Sequence, residues 1–415
     1  MQNENAWHVG SLFKIPLFLD PSWFLIVAWI TFSDGLRWQA AWGIPIAYSA
    51  GLAMALLLFT SVLLHELGHS LVARRQGIAV NSITLFLFGG VAAIENEPKT
   101  PGQMFQVAVA GPLVSFSLFL LLGAIVLFAP IELLPNPGRQ VLTVLLSRGA
   151  SLNLTLTLFN LIPGLPLDGG QMLKAAVWKK SGSYLQGSHT AAKIGQWLGW
   201  GIVGLGVADI VGITQALRLP YIGGLWAVLI GSFMLRNADR YNQVTDLQEA
   251  LVNLKASDAM SRDFRVLDAN QTLRQFAENY VLAIDHPAAY FASSDGRYRG
   301  LVEMETLQKI ERGLWDHTTL QAVAQPLTEI PAVEESTPMT AVIEKLEVEM
   351  LHQLTILTPA GAVAGILDRG DILRAVANQM GYQISEAAVR QVKAAGEFPA
   401  GLQLAAIAQS IQGLK

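Results

Sequence analysis

Long apolar runs fill the first 236 positions of the chain and then stop. A bilayer core of roughly 30 Å takes about 20 apolar residues per helix, and six stretches come near that length: about 15–33, 44–73, 104–130, 141–163, 190–213 and 219–236. The fourth is the least uniform, because Arg148 interrupts it and Asn153 and Asn160 fall within it. Between the second and third runs, VNSITLFLFGGVAAIENE (residues 80–97) alternates apolar and polar at first and then turns wholly apolar around Gly89 and Gly90. That segment is too short to span. A Gly-Gly pair between two β-prone runs predicts a hairpin, and in lipid such strands survive only where protein or a water-filled cavity covers them. A short membrane-associated β-hairpin is therefore expected beside the helices.

Beyond position 236 the pattern changes. ASDAMSRDFRVLDANQTLRQFAE (256–278) is followed by YFASSDGRYRGLVEMETL (290–307), and AQPLTEIPAVEESTPMTAVIEKLEVE (324–349) by LTILTPAGAVAGILDRGDIL (354–373). Each half reads as a helix, a short strand, an amphipathic helix, two strands joined by a tight turn, and a final helix. This is a weak internal duplication. The last stretch, 381–415, predicts one or two surface helices. The fold class expected is a multi-pass α-helical membrane region of about six spans with a β-hairpin, over residues 1–240, followed by an α/β tandem with modules at 250–312 and 318–380.

Charge sharpens that division. The 415 residues are 52% hydrophobic and 14% charged, against about 25% charged in an ordinary soluble domain. Up to Leu235 there are 12 Lys/Arg and 9 Asp/Glu; from Arg236 onward there are 16 and 23. Lys14, Arg74, Arg75, Lys99, Lys174, Lys179, Lys180, Arg236 and Arg240 share one side of a six-span arrangement, and Arg37, Arg139 and Arg218 the other. The positive-inside rule then places both termini and the C-terminal part in the cytoplasm, with the chain in the cell membrane. The opening MQNENAWHVG lacks the basic n-region of a cleaved signal peptide, so the first hydrophobic segment is expected to be retained. No basic patch with interleaved aromatics is present, which argues against nucleic acid as a partner.

Three ionisable residues stand out inside the second apolar run, in SVLLHELGHSLVARR (61–75). His65 and His69, four apart, share a helix face and could hold one metal ion, with Glu66 beside them to take a proton from a bound water. Two ordinary histidines at a solvent-facing helix end are the plainer reading. The flanks SVLL and SLVA are apolar on every face, however, and charges in a membrane segment mark functional sites by default. The chain has no cysteine, so a metal must use His, Asp or Glu. For a third ligand the candidates are Asp168 in NLIPGLPLDGGQML (160–173), where Pro163 and Pro166 break the helix and Gly169 and Gly170 permit a tight bend, and His189 at the start of the fifth run. Asp168 could instead be the N-cap of the helix that follows.

Taken together, HELGH in an apolar helix, FGG at 88–90, AGP at 110–112 and NLIPGLPLDGG at 160–170 resemble the site-2 protease family of intramembrane zinc metalloproteases. The tandem behind them resembles a pair of CBS modules, as in the branch of that family that carries them. The resemblance implies one Zn2+ per chain, His65, His69 and Asp168 as its ligands, Glu66 as catalytic base, and a substrate-positioning role for Asn160. It also implies regulated intramembrane proteolysis of a membrane-anchored protein, such as an anti-sigma factor or a sigma-factor precursor. No PDZ-like insert is visible between the spans. CBS pairs in other proteins often hold an adenosine nucleotide through a hydroxyl and an Asp. Here Glu303 and Asp368 occupy the hydroxyl positions and Thr306 and Asp371 the Asp positions, so a nucleotide would rely on Asp371 alone, and a dimerising or gating role is the plainer one.

In the membrane a substrate must unwind before its backbone can be cut, and the hairpin at Gly89–Gly90 could pair with the unwound stretch. A transporter or channel would need charged residues along a path on several spans, whereas the polar residues here converge on one site. A silent membrane scaffold is the remaining alternative, and the intact HELGH and LDGG argue against it.

Overall fold

The computed structural model describes residues 6–87, 89–217, 223–281, 289–304, 309–399, 401–402 and 404–412. Phe88, Arg218, His286 and Thr306, and the first positions of the sixth apolar run, lie outside them. The chain divides into two compact units, Met1–Thr245 and Asp246–Lys415.

The first unit opens with strands rather than with a helix. β1 (Trp7–Leu12) and β2 (Ile15–Leu19) pair antiparallel through a turn at Phe13 and Lys14, whose φ values of 51° and 64° both lie in the left-handed region. This corrects the first expected span. Residues 15–19 belong to a strand, and the helix that follows, α1, runs Pro21–Trp42 with Asp20 capping its N-terminus. α2 (Ile44–Arg75) comes next, then β3 (Val80–Phe86) and β4 (Gly89–Ile94), which pair antiparallel with Phe86 opposite Gly89. β3 and β4 are two strands of a larger sheet, in the order β1-β2-β3-β4 with β2 and β3 parallel.

α3 (Pro101–Phe128), α4 (Gly138–Asn160), α5 (Asp168–Ser181), α6 (Tyr184–Ile210), a single turn α7 (Ile213–Ala216) and α8 (Gly224–Asn253) follow. Six spans are the expectation; among the described residues three helices, α2, α3 and α4, are long and apolar enough to cross a membrane. α1, α6 and α8 are long helices of more mixed composition. The Arg148 that interrupts α4 is accounted for by α1: its guanidinium lies 3.1 Å from Asp34 Oδ1 and stacks over the Trp38 ring at 4.8 Å. A charge in an apolar setting persists when it is paired in this way.

Packing on α2 orients the rest. Leu67 joins Ile15 and Ile83 in one buried cluster, and Phe59 and Val62 join Leu85 in another, so one side of α2 carries the sheet. The side bearing His65 and His69 faces α3, where Gly68 brings the helix within van der Waals contact of the Ala110 carbonyl and Val114. The histidines and the β4 edge are thereby held on adjoining faces of one helix.

In the second unit, β5 (Phe264–Asp268), β6 (Ala289–Ser294) and β7 (Arg297–Val302) form one sheet, and β8 (Ala332–Glu334), β9 (Gln353–Leu357) and β10 (Val363–Asp368) another. Both have the same pattern: a parallel pair, then an antiparallel pair. The segment preceding each sheet crosses to the other, as Ser261 bridges Ile366 and Gln325 bridges Leu301. That reciprocal exchange gives the weak sequence duplication a structural counterpart. Asp371 is buried at the start of the helix Arg369–Gln379, where it and Asp368 form a capping box. Lys393, from the tail helix Glu386–Ala395, lies 2.7 Å from Asp371 and 3.0 Å from Asp368. Burial pushes the Asp371 carboxyl up from its ordinary range. Burial lowers Lys393, but the two carboxylates outweigh it and hold the ammonium above its ordinary range.

Candidate metal centre

His65 and His69 lie one turn apart on α2 with rings 4.9 Å between centroids, and both are buried. Each ring is held by its Nδ1. That of His65 is 2.9 Å from Ser115 Oγ, and that of His69 is 2.7 Å from the Val107 carbonyl, both on α3. A carbonyl only accepts, so His69 Nδ1 carries its proton and Nε2 is left free to face inward. The two Nε2 atoms are 3.3 Å apart.

Asp168 completes the group. Its Oδ2 is 3.1 Å from His65 Nε2 and its Oδ1 is 3.3 Å from His69 Nε2. α4 ends at Asn160, the chain turns through 161–167, and α5 starts with Asp168 itself. The N-cap of α5 is Leu167, which makes no side-chain cap, so the capping role considered for Asp168 falls away and its carboxylate is aimed at the histidines. Gly169 and Gly170 serve close packing rather than a bend: both are helical, and a Cβ on either would strike the backbone of the turn 161–165. His189, the rival third ligand, points elsewhere, with its Nδ1 2.9 Å from Asn242 Oδ1.

The donor set fits zinc. Four-coordinate zinc with bonds of about 2.0–2.1 Å separates neighbouring ligand atoms by about 3.3 Å; here the two Nε2 atoms are 3.3 Å apart and each lies 3.1–3.3 Å from a different oxygen of the one Asp168 carboxylate. Inward-facing imidazole nitrogens beside a carboxylate also form a cluster that a cation satisfies.

Gly111 makes room for this group. A Cβ there would lie 2.7 Å from His65 Nε2 and closer still to His69 Nε2. The AGP at 110–112 thus has a steric reason to carry glycine, which the sequence reading did not supply. Ser115 was missed as well. The available signal was its position one turn after Gly111 on the same helix face.

Asn160 Nδ2 is 3.5 Å from His65 Nε2, at the edge of the cluster. Gly90 packs its backbone on Glu66: a Cβ there would sit 2.7 Å from Glu66 Cγ and 3.2 Å from Val62 Cγ1. Gly89 has φ +137°, a conformation that side chains rarely adopt. Asp371 belongs to the second unit and is no part of this cluster.

Comparison with known proteins gives this geometry its class. The sequence model of Peptidase family M50 matches residues 53–147 and 136–200, and that of the CBS domain matches 322–378. The protein sll0528 of Synechocystis sp., named as a zinc metalloprotease, is 39% identical over 376 residues, covering 89% of this chain and 95% of its own. Zinc metalloprotease MJ0392 of Methanocaldococcus jannaschii is 30% identical over 321 residues, covering 77% and 84%. Among solved structures, the site-2 protease from Methanocaldococcus jannaschii is 28% identical, with a TM-score of 0.40 over 57% of this chain and 95% of its own. The chain belongs to peptidase family M50. It is a zinc metalloprotease with a C-terminal CBS domain.

Proposed function

We propose that the chain cuts peptide bonds within or beside the membrane-spanning segment of a membrane-anchored regulatory protein, with His65, His69 and Asp168 holding one zinc ion and Glu66 acting as general base. The observation that carries this reading is the convergence of three donor side chains, His65, His69 and Asp168, with 3.1–3.3 Å between each imidazole Nε2 and its nearest carboxylate oxygen, and with Glu66 next to them on an apolar helix. When bound, zinc supplies Lewis-acid activation of a water and of the scissile carbonyl. The side chains do the remainder. Ser115 and the Val107 carbonyl fix the imidazole rings. Glu66 takes the proton of the attacking water and returns it to the leaving amine. Asn160 stands where its amide can donate to a substrate carbonyl. Removing zinc with a chelator should abolish cleavage of a single-span reporter, and one equivalent of zinc per chain should restore it. Cleavage that persists in zinc-free protein would sink the reading.

The substrate needs an extended backbone, and β4 offers one edge to pair with it. β4 is the last strand of its sheet, and Gly90 on it touches Glu66. An unwound segment added beside β4 would lie next to the base, with main-chain hydrogen bonds repaying those lost from its helix. Replacing Gly90 with Val pushes a branched side chain into Glu66. We expect cleavage to fall by roughly 10-fold or more, since a misplacement near 1 Å costs up to about 100-fold. Unaltered cleavage by this variant, or by one with a bulky residue at Gly89, would count against strand addition.

The charge distribution supports a cytoplasmic face for both termini and for the mouth of the site near Arg74 and Arg75, in the cell membrane. Anti-sigma factors and sigma-factor precursors are the substrate type we favour. The CBS pair is assigned a dimerising or gating role. Lys393 already engages Asp371, the one carboxylate left to hold a ribose, which speaks against nucleotide sensing.

A further inference from the structure

Lys174 is among the largest fully buried side chains of the structure, with 1% of its side chain exposed. The metal centre does not use it. A buried ammonium is strongly unfavourable unless paired and hydrogen-bonded. Lys174 Nζ lies 3.1 Å from Glu97 Oε2 and 2.6 Å from the Tyr184 hydroxyl, and 4.1 Å from the centre of the Tyr184 ring. The Tyr184 hydroxyl in turn donates to the same Glu97 oxygen.

These residues come from three different segments. Glu97 follows β4 in the connection to α3. Lys174 stands on α5, six residues after Asp168, which is about 9 Å along the helix and on a different face. Tyr184 is the first residue of α6. α5 and α6 meet backbone to side here, since a Cβ on Gly187 would lie 2.6 Å from the Lys174 carbonyl, and Trp178 packs edge-on against Tyr184.

Followed around, the contacts close on themselves. Glu66 on α2 touches Gly90 on β4; the strand leads to Glu97; Glu97 binds Lys174 on α5; α5 begins with Asp168; and Asp168 meets His65 and His69 on α2. We propose that Glu97, Lys174 and Tyr184 are positioning residues that clasp the exit of β4 to α5 and thereby set the separation between the hairpin and the Asp168 side of the catalytic group. An apolar contact at this point would hold the two elements together but let them slide. A directional, buried ion pair fixes register instead, the best-attested use of such pairs. The inference rests on the reading that cleavage occurs between Glu66 and the His65–His69–Asp168 group.

The test uses the full chain and a single-span reporter that the unaltered chain cleaves, with zinc content, kcat, KM and the position of the cut recorded. Lys174→Met removes the buried charge and leaves Glu97 partly exposed to water. We expect one zinc per chain as in the parent, kcat/KM lower by about tenfold, and cuts spread from the original bond onto its neighbours. Tyr184→Phe, which keeps the ring, should move the cut pattern in the same direction by less, and it decides the matter if Lys174→Met does not fold. A purely structural role would lower the folded fraction and leave the cut position fixed. That outcome, or parental kcat/KM at the original bond, overturns the clasp. If the parent itself cleaves independently of Glu66, the site assignment fails instead, so the two failures are told apart.

Discussion

Glu66→Gln should leave a protein that holds zinc and does not cut. The substitution keeps the side chain's shape and its packing under Gly90, and it alters none of the three donor side chains, so metal content should match the parent. What it removes is the carboxylate that adjoins His65 in the chain, and with it the group proposed to accept the proton of the attacking water. A positioned base is worth about 100–10,000-fold, so cleavage of a membrane reporter should fall by roughly 1,000-fold, about 4 kcal/mol in the barrier. Metal analysis beside cleavage assays checks both halves. A variant that binds zinc and still cuts would remove Glu66 from the chemistry; if it does not cut, the uncleaved proteins that accumulate in cells carrying it point to the natural substrate.

Gly111→Ala should give the opposite pairing of results: no cutting because no zinc is held. The added methyl would sit 2.7 Å from His65 Nε2 and nearer to His69 Nε2, below the roughly 3.0 Å that real Cβ atoms respect, so it occupies the space the ion needs. Relief by moving α3 away would open the close packing beside it, where Gly68 brings α2 against the Ala110 carbonyl and Val114. Zinc content should drop to a small fraction of the parent's, with cleavage falling alongside, while the total helix content by circular dichroism matches the parent's. Full zinc occupancy in this variant would mean the ion is held elsewhere.

Much of the candidate metal centre was legible because its information is local or nearly so. The spacing of His65 and His69 places them on one helix face whatever the rest of the chain does, and Asp168 stood out as an acidic residue in a broken apolar element. Ser115, Gly111 and Lys174 were not legible. Their roles arise only when α3, α5 and α6 are brought against other segments, and a serine in an apolar helix or a lysine near a membrane edge carries no mark of its partner. The first strands were misread for a different reason. IPLFL is a short apolar run that cannot be told from the start of a helix by periodicity, and the tight turn before it is built from Phe13 and Lys14 rather than from the glycine or asparagine that usually announces one. The hairpin at 80–94 did carry such a signal in Gly89 and Gly90. The repeated module was readable in both halves through alternation and turn residues, while the exchange of lead-in segments between the two sheets was not, since single bridges leave no periodic trace.

The parallel pairing of β2 with β3 bears on how the protein is made. Leu17 finds its partner Ile83 roughly 65 residues later in the chain, with all of α1 and α2 in between. At a synthesis rate of about 5–20 residues per second, the β1–β2 ribbon waits several seconds on the ribosome with one edge unsatisfied. The sheet can close only once the ribbon and the segment after Arg75 lie on the same side of any bilayer that α2 crosses. Parting the two by a membrane would therefore leave β3 and β4 without the β1–β2 ribbon, and Gly90 without the full sheet that carries it against Glu66.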